Sequence, residues 1–176
     1  LNEWGEKPFG ALYLLPLWHP VILAEQIATL ASLSRAPFIL QCGLGDDRQG
    51  RAMGIDMKHK VGRFVSCLEI MRALWQGRSV EENRFWNIKA EQIAPLPSHE
   101  VEVWIGSVVE KAIKRTAKLG DGWLASPRLT PDQANQAIKE YKRYCDLFDR
   151  KPLCAIRRDV YVGSTSAEAK KVVAPY

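Results

Sequence analysis

An α/β fold built on a parallel sheet is what this sequence predicts, and three observations point there. Short, nearly continuous apolar runs alternate with longer amphipathic stretches about five times along the chain. The amphipathic stretches carry helix-start signals, and the apolar runs end in glycine-bearing turns. At 176 residues, with 47% hydrophobic and 26% charged residues, the composition is that of one ordinary globular domain. Strand-to-strand connections through helices give right-handed crossovers and parallel strands. Either a doubly wound sheet or an arc of a (β/α)₈ barrel fits. A whole barrel takes about 250 residues, so this chain would be an incomplete one.

Taken in order, residues 10–17 (GALYLLPL) read as a doubly buried strand, with Pro20 at the first turn of a helix over 21–33. Pro37 introduces a second strand, 38–42, which ends in Gly43-Leu44-Gly45. After a polar loop, residues 63–76 place Phe64, Cys67, Leu68, Met71 and Trp75 on one helical stripe. The segment 78–100 is polar, carries Pro95 and Pro97, and has the aromatic pair Phe85-Trp86. It reads as an insertion, a small hairpin, within a single domain spanning 1–176. The alternation resumes with a strand at 101–105, a helix at 108–119 and a short strand at 122–125. Thr130-Pro131-Asp132-Gln133 opens the next helix with a capping box and a first-turn proline. A last strand at 153–162 and a helix capped by Thr165 close the chain.

Charge and composition exclude several classes. The 25 Lys and Arg outnumber the 20 Asp and Glu, for a net charge of +5, but they are scattered and form no nucleic-acid stripe. No stretch is long enough to cross a membrane, and no charged-then-apolar leader opens the chain. The first residue is Leu1 rather than Met, so a processed product or a fragment is expected. Cys42, Cys67, Cys145 and Cys154 form no C-x-x-C pair and read as buried thiols of a reducing compartment. With only His19, His59 and His99 beside them, no metal site is expected.

In parallel α/β proteins, function collects at the C-terminal ends of the strands. Four such loops stand out: Trp18-His19-Pro20, residues 43–48, residues 106–109, and Ser126-Pro127-Arg128. The third leads directly into a helix, whose first N–H groups and positive dipole end can bind a phosphate. Gly106 would let the phosphate approach, and the Ser107 hydroxyl would add a donor. The structural alternative is a plain turn with an N-cap. Trp18 could wall a flat ligand and His19 could serve as an acid–base group, or the first packs and the second caps the next helix. Gly43-Leu44-Gly45 lacks the third glycine of a dinucleotide turn, since Arg48 stands there, and Asp46 and Asp47 read as solvated loop acids.

Four segments together resemble the luciferase-like flavin-dependent oxidoreductases, which include bacterial luciferase-like monooxygenases and deazaflavin-dependent reductases. They are LLPLWHPVILAEQIATLASLS (14–34), FILQCGLG (38–45), MGIDMKHKVGRFVSCLEIMRALWQG (53–77) and VWIGSVVEKAIKRTAKLGDGWL (103–124). The resemblance implies a partial (β/α)₈ barrel, about strands three to seven. It implies that Gly10, Ala11, Leu12, Cys42 and Gly43 border the flavin ring, and that Gly106, Ser107, Val108 and Val109 hold the cofactor phosphate. Here Ser107 replaces the family's second glycine and Val109 its serine, so backbone donors survive while one hydroxyl is lost. Implied with these are FMN or a deazaflavin coenzyme, a small organic substrate, a flavin reductase partner, a homodimer and a cytoplasmic location. Catalysis would fall to residues unknown, with Trp18 and His19 as candidates. A non-catalytic flavin-binding protein and a fragment that binds nothing are the competing readings.

Overall fold

The computed structural model describes residues 5–158 and 160–175. Its main sheet has five parallel strands: β1 (Phe9–Leu14), β2 (Phe38–Gly43), then β5 (Val101–Ser107), β6 (Gly122–Ala125) and β7 (Cys154–Ile156), adjacent in that order. Between β2 and β5 a small antiparallel hairpin is formed by β3 (Val80–Glu82) and β4 (Ile88–Ala90). The helices are α1 (Pro20–Ser32), α2 (Asp47–Ala52), α3 (Lys60–Trp75), α4 (Glu110–Leu119), α5 (Pro131–Leu147) and α6 (Ser166–Val173).

The register decides between the two architectures left open by the sequence. Cys42 pairs with Ile105, Ile105 with Trp123, and Trp123 with Cys154, so these residues share one sheet face. On that face Phe38, Leu40, Cys42, Val103 and Ile105 pack against Leu23, Ile27 and Ala31 of α1 and Phe64, Leu68 and Met71 of α3. Trp123 and Ala125 of the same face meet Ile113 and Ala117 of α4 and Ala137, Tyr141 and Cys145 of α5. The opposite face carries Leu12, Gln41, Trp104 and Gly122 in one row, and Gly106, Leu124 and Ala155 in the next. The described helices thus cover one face, and strand order follows chain order without reversal. That is a barrel arc, whose uncovered face is the barrel interior; a doubly wound sheet would have a switch point and helices on both faces.

Two glycines are set by close approach. A Cβ at Gly10 would lie 2.1 Å from the Ile39 carbonyl oxygen, and one at Gly122 would lie 2.5 Å from the Trp104 ring. Gly122 belongs to the run Leu119-Gly120-Asp121-Gly122-Trp123, which ties the β5–α4–β6 unit together. Asp121 donates its N–H to the Val103 carbonyl (2.7 Å), and its carboxylate accepts the Val103 N–H (2.9 Å). Arg150 donates to the same carboxylate (2.6 Å) and to the Gly120 carbonyl (2.8 Å), and Arg72 approaches it to 3.6 Å.

Several boundaries differ from the sequence reading. The 10–17 run stops as a strand at Leu14, and Leu15–Leu17 turn as one 3-10 helix that buries all three side chains. The polar loop after β2 contains α2, held by a reciprocal capping box between Asp46 and Gln49. β5 runs two residues further than expected, through Ser107, so α4 begins at Glu110 rather than Val108. The expected strand over 153–162 shortens to Cys154–Ile156. Its neighbour β6 has only four residues, and its outer edge pairs with no described residue. Asp159, inside that expected strand, lies outside the described residues. Cys154 is exposed rather than buried, on the last strand of the sheet.

The Asp121 knot yields a stability prediction. Its ion pair with Arg150 is about one-third exposed and worth only about 0–1 kcal/mol. The Val103 N–H belongs to a fully buried residue, and leaving it without an acceptor costs about 1–3 kcal/mol. Asp121→Ala is therefore expected to destabilise the protein by about 2 kcal/mol in urea unfolding. Asp121→Asn keeps an acceptor and should cost less than half of that.

Candidate functional site

The C-terminal ends of the five parallel strands surround a cavity of about 560 Å³, a size typical of small-molecule and cofactor sites. Its floor is the uncovered sheet face. Leu14, Gly43, Gly106, Leu124 and Ala155 supply it, with Gln41 one row below. Leu12, Leu44 and Phe64 wall one side, and Val108, Val109 and Ala112 at the start of α4 wall another. A Cβ at Gly43 would meet only Leu14, at 3.6 Å, and one at Gly106 only the Cys42 carbonyl, at 3.7 Å. Side chains there would project into the cavity. The two glycines therefore leave a flat cradle of peptide groups that a planar ring fits.

The start of α4 is poorly capped by its own chain. Val109 is the N-cap and offers no side-chain acceptor, although its carbonyl accepts the N–H groups of Ala112 and Ile113. The N–H groups of Glu110 and Lys111 lie in the first turn, where the helix itself supplies no acceptor. The end of β5 is locked from behind. The Trp123 indole donates to the Ser107 carbonyl (3.0 Å), and Thr116 donates to the Ser107 hydroxyl (3.0 Å).

Of the sequence-predicted residues, Leu12, Gly43, Gly106, Val108 and Val109 come together around the cavity. Ser107 touches it, but its hydroxyl is nearly buried and turned toward α4, where its oxygen accepts the Thr116 hydroxyl, rather than into the cavity. The parity of β5 explains this: Ile105 and Ser107 share the helix-facing side, and Gly106 faces the cavity. Cys42 also belongs to the lining, where its carbonyl lies beside Gly106, but its side chain is on the helix-facing side, fully buried, and burial raises its thiol pKa far above neutrality. Gly10 and Ala11 do not line the cavity. Gly10 lies near the start of β1 against Ile39, and Ala11 faces the helix layer. Trp18 and His19 also stay outside it. Trp18 packs edge-on against Tyr13 at 5.3 Å, and His19 is exposed at the α1 N-cap, with its ring 6.2 Å from that of Trp86. Asp46 caps α2 and is held below the usual carboxylate range by the Gln49 N–H, and Asp47 pairs with Lys60.

Ser126 and Pro127 of the fourth loop singled out from the sequence line the cavity, whereas sequence reasoning missed Gln41, Phe64, Arg115 and Arg157, which line it too. The two arginines are the charged residues in that lining, and it contains no aspartate, glutamate, histidine or lysine among the described residues. The arrangement can attract and orient an anionic, largely apolar ligand. With the Cys42 thiol held protonated by burial, it presents no side chain suited to exchanging a proton near neutral pH.

A family model described as luciferase-like monooxygenase matches residues 9–176. The chain belongs to that family. A phthiodiolone/phenolphthiodiolone dimycocerosates ketoreductase of Mycobacterium sp. (strain JLS) is 26% identical over 156 residues, 84% of this chain and 41% of the relative. An F420-dependent glucose-6-phosphate dehydrogenase of Mycobacterium avium (strain 104) is 25% identical over 133 residues, 70% of this chain and 40% of the relative. Among solved structures, a monooxygenase from Streptomyces bottropensis superposes with a TM-score of 0.82 at 20% identity, covering 95% of this chain and 54% of the other. The oxygenating constituent of 3,6-diketocamphane monooxygenase from Pseudomonas putida, in complex with FMN, does so at 0.78 and 18% identity, covering 95% and 52%. These likenesses show the barrel fold. The chain spans about two-fifths of the length of these curated relatives.

Val109 gives the start of α4 no side-chain acceptor, and this yields a test. Val109 is two-thirds exposed, so replacing it loses little burial. Val109→Ser would supply the missing N-cap acceptor and is expected to stabilise the protein by about 1 kcal/mol, read from the urea midpoint.

Proposed function

We propose that this chain is the cofactor-binding portion of a flavin-dependent oxidoreductase that uses reduced FMN and oxygen on a small organic substrate. The observation carrying this reading is the cavity itself: a glycine cradle, apolar walls, two arginines, and no proton-exchanging side chain. A site of that makeup can bind and shield a ligand but has no acid–base equipment of its own. The redox chemistry would come from the cofactor, whose ring accepts and donates electrons when bound.

In this reading the ring rests against Gly43 and Gly106, between Leu12, Leu14 and Leu124. The phosphate lies toward Val108, Val109 and the free N–H groups of α4. The apolar walls exclude water from the reacting end of the ring, which protects reduced cofactor from side reactions. A small substrate would share the cavity from the side of Leu44 and Phe64. The proposal includes a flavin reductase that supplies the reduced cofactor, assembly as a homodimer, and a place in the cytoplasm. Among the described residues no helix is long and apolar enough to cross a membrane.

A second reading takes a deazaflavin coenzyme in the same cradle and passes a hydride directly to or from the substrate. It is favoured by the sequence relatives, one of which is named as F420-dependent. Titrating the intact protein with FMN and with the deazaflavin coenzyme separates the two. FMN is expected to bind, and Gly106→Leu, which fills the cradle, should weaken it at least tenfold. Oxygen uptake with a reductase-fed supply of reduced FMN should then depend on added substrate. Binding of deazaflavin alone would replace the first reading by the second, and binding of neither would remove both. Binding without substrate turnover would leave a non-catalytic flavoprotein.

A further inference from the structure

Arg115 is placed where a cation gains nothing from the protein around it. It stands on the second turn of α4, three residues after Ala112, and both line the cavity. Side chains on a helix lean toward its N-terminus. The small Ala112 leaves room for the Arg115 stem to run that way, toward the positive end of the helix dipole. A guanidinium near that end is repelled by it rather than stabilised. The described residues give Arg115 no hydrogen bond and no ion pair. The acid nearest in sequence, Glu110, already accepts the Tyr144 hydroxyl (2.6 Å) and lies 3.9 Å from Arg143.

Its neighbours on the helix behave differently. Lys111, Lys114 and Lys118 are exposed and keep their water, whereas Arg115 is half-buried. Burial depresses its pKa with no nearby carboxylate to offset the effect. An unpaired, partly desolvated cation costs free energy unless an anion arrives to pair with it. The guanidinium fork matches phosphate oxygens, and Arg115 lines a cavity to which no described residue contributes a carboxylate.

We infer that Arg115 is the residue by which this cavity selects a flavin carrying a phosphate at the end of its side chain over one that lacks it. The inference rests on the reading of the cavity as a flavin site. Arg157 lines the cavity from the end of β7 but is exposed to solvent, so it adds charge without the same penalty to be relieved.

The experiment uses the intact protein, wild type and the variants Arg115→Ala and Arg115→Lys. Each is titrated by fluorescence with FMN, with riboflavin, and with the deazaflavin coenzyme with and without its phosphodiester tail. The expected result is a tenfold to hundredfold loss of FMN affinity in Arg115→Ala, with riboflavin affinity within twofold of wild type. Arg115→Lys should recover part of the loss, since it keeps the charge but not the fork. The wild-type preference for FMN over riboflavin should shrink with added salt, and in Arg115→Ala it should be small at every salt concentration. If the deazaflavin pair shows the same loss and FMN does not bind, the phosphate role stands with the other cofactor. Equal weakening of phosphorylated and unphosphorylated ligands would assign Arg115 to packing and overturn the inference, as would no change in either. Failure of the wild type to bind any of the four would overturn the flavin reading itself, and this inference with it.

Discussion

The hydrogen bond from the Trp123 indole to the Ser107 carbonyl is the constraint on which the cavity depends. It is fully buried and joins the last residue of β5 to the middle of β6. With Ser107 held there, the chain turns within two residues into α4, and the first turn of that helix becomes a wall of the cavity. Asp121 does the matching work at the other end of β5, where its carboxylate and its N–H both bond Val103. Gly122 completes the arrangement by letting the Trp104 ring lie against the β6 backbone. The run from Leu119 to Trp123 is thus architecture. Its residues touch the cavity only through what they hold in place.

This separates the residues that pack the sheet against its helices from those that line the cavity. The first group sits on the helix-facing side of the sheet, where Phe38, Cys42, Ile105 and Trp123 are packed and substitution creates a hole or a clash. The second group sits on the barrel side and is chemically plain: leucines, glycines, an alanine, a glutamine. Charge enters from outside the sheet, through α4 and the segment after β7. A division of this kind suits oxidoreductases whose reactive group is a bound cofactor, because the protein must orient and enclose it without competing for protons.

What was legible in the sequence, and what was not, follows the same division. Apolar runs and periodic stripes gave β2, α3 and α5 within a few residues, because burial of Phe38, Phe64 and Tyr141 dictates both pattern and structure. The Thr130–Gln133 capping box was readable because its signal is local. The equivalent signal from Asp46 to Gln49 was present and went unread in a stretch too polar to suggest a helix. Strand parity was the harder problem. Whether Ser107 or Gly106 faces the cavity depends on how β5 pairs with β2 and β6, and a shift of one residue exchanges their roles. Arg115 was invisible for a related reason. Spacing places it beside Ala112 on α4, but only the packing of α4 against β5 and β6 shows that this side of the helix start opens on a cavity.

The glycine cradle has a consequence for descent. A surface made of peptide groups offers nothing for substitution to alter except by adding bulk, so its outline does not depend on the identity of the side chains around it. This chain and the Streptomyces monooxygenase share one residue in five and still follow the same backbone course. Divergence accumulates instead where side chains reach over the rim.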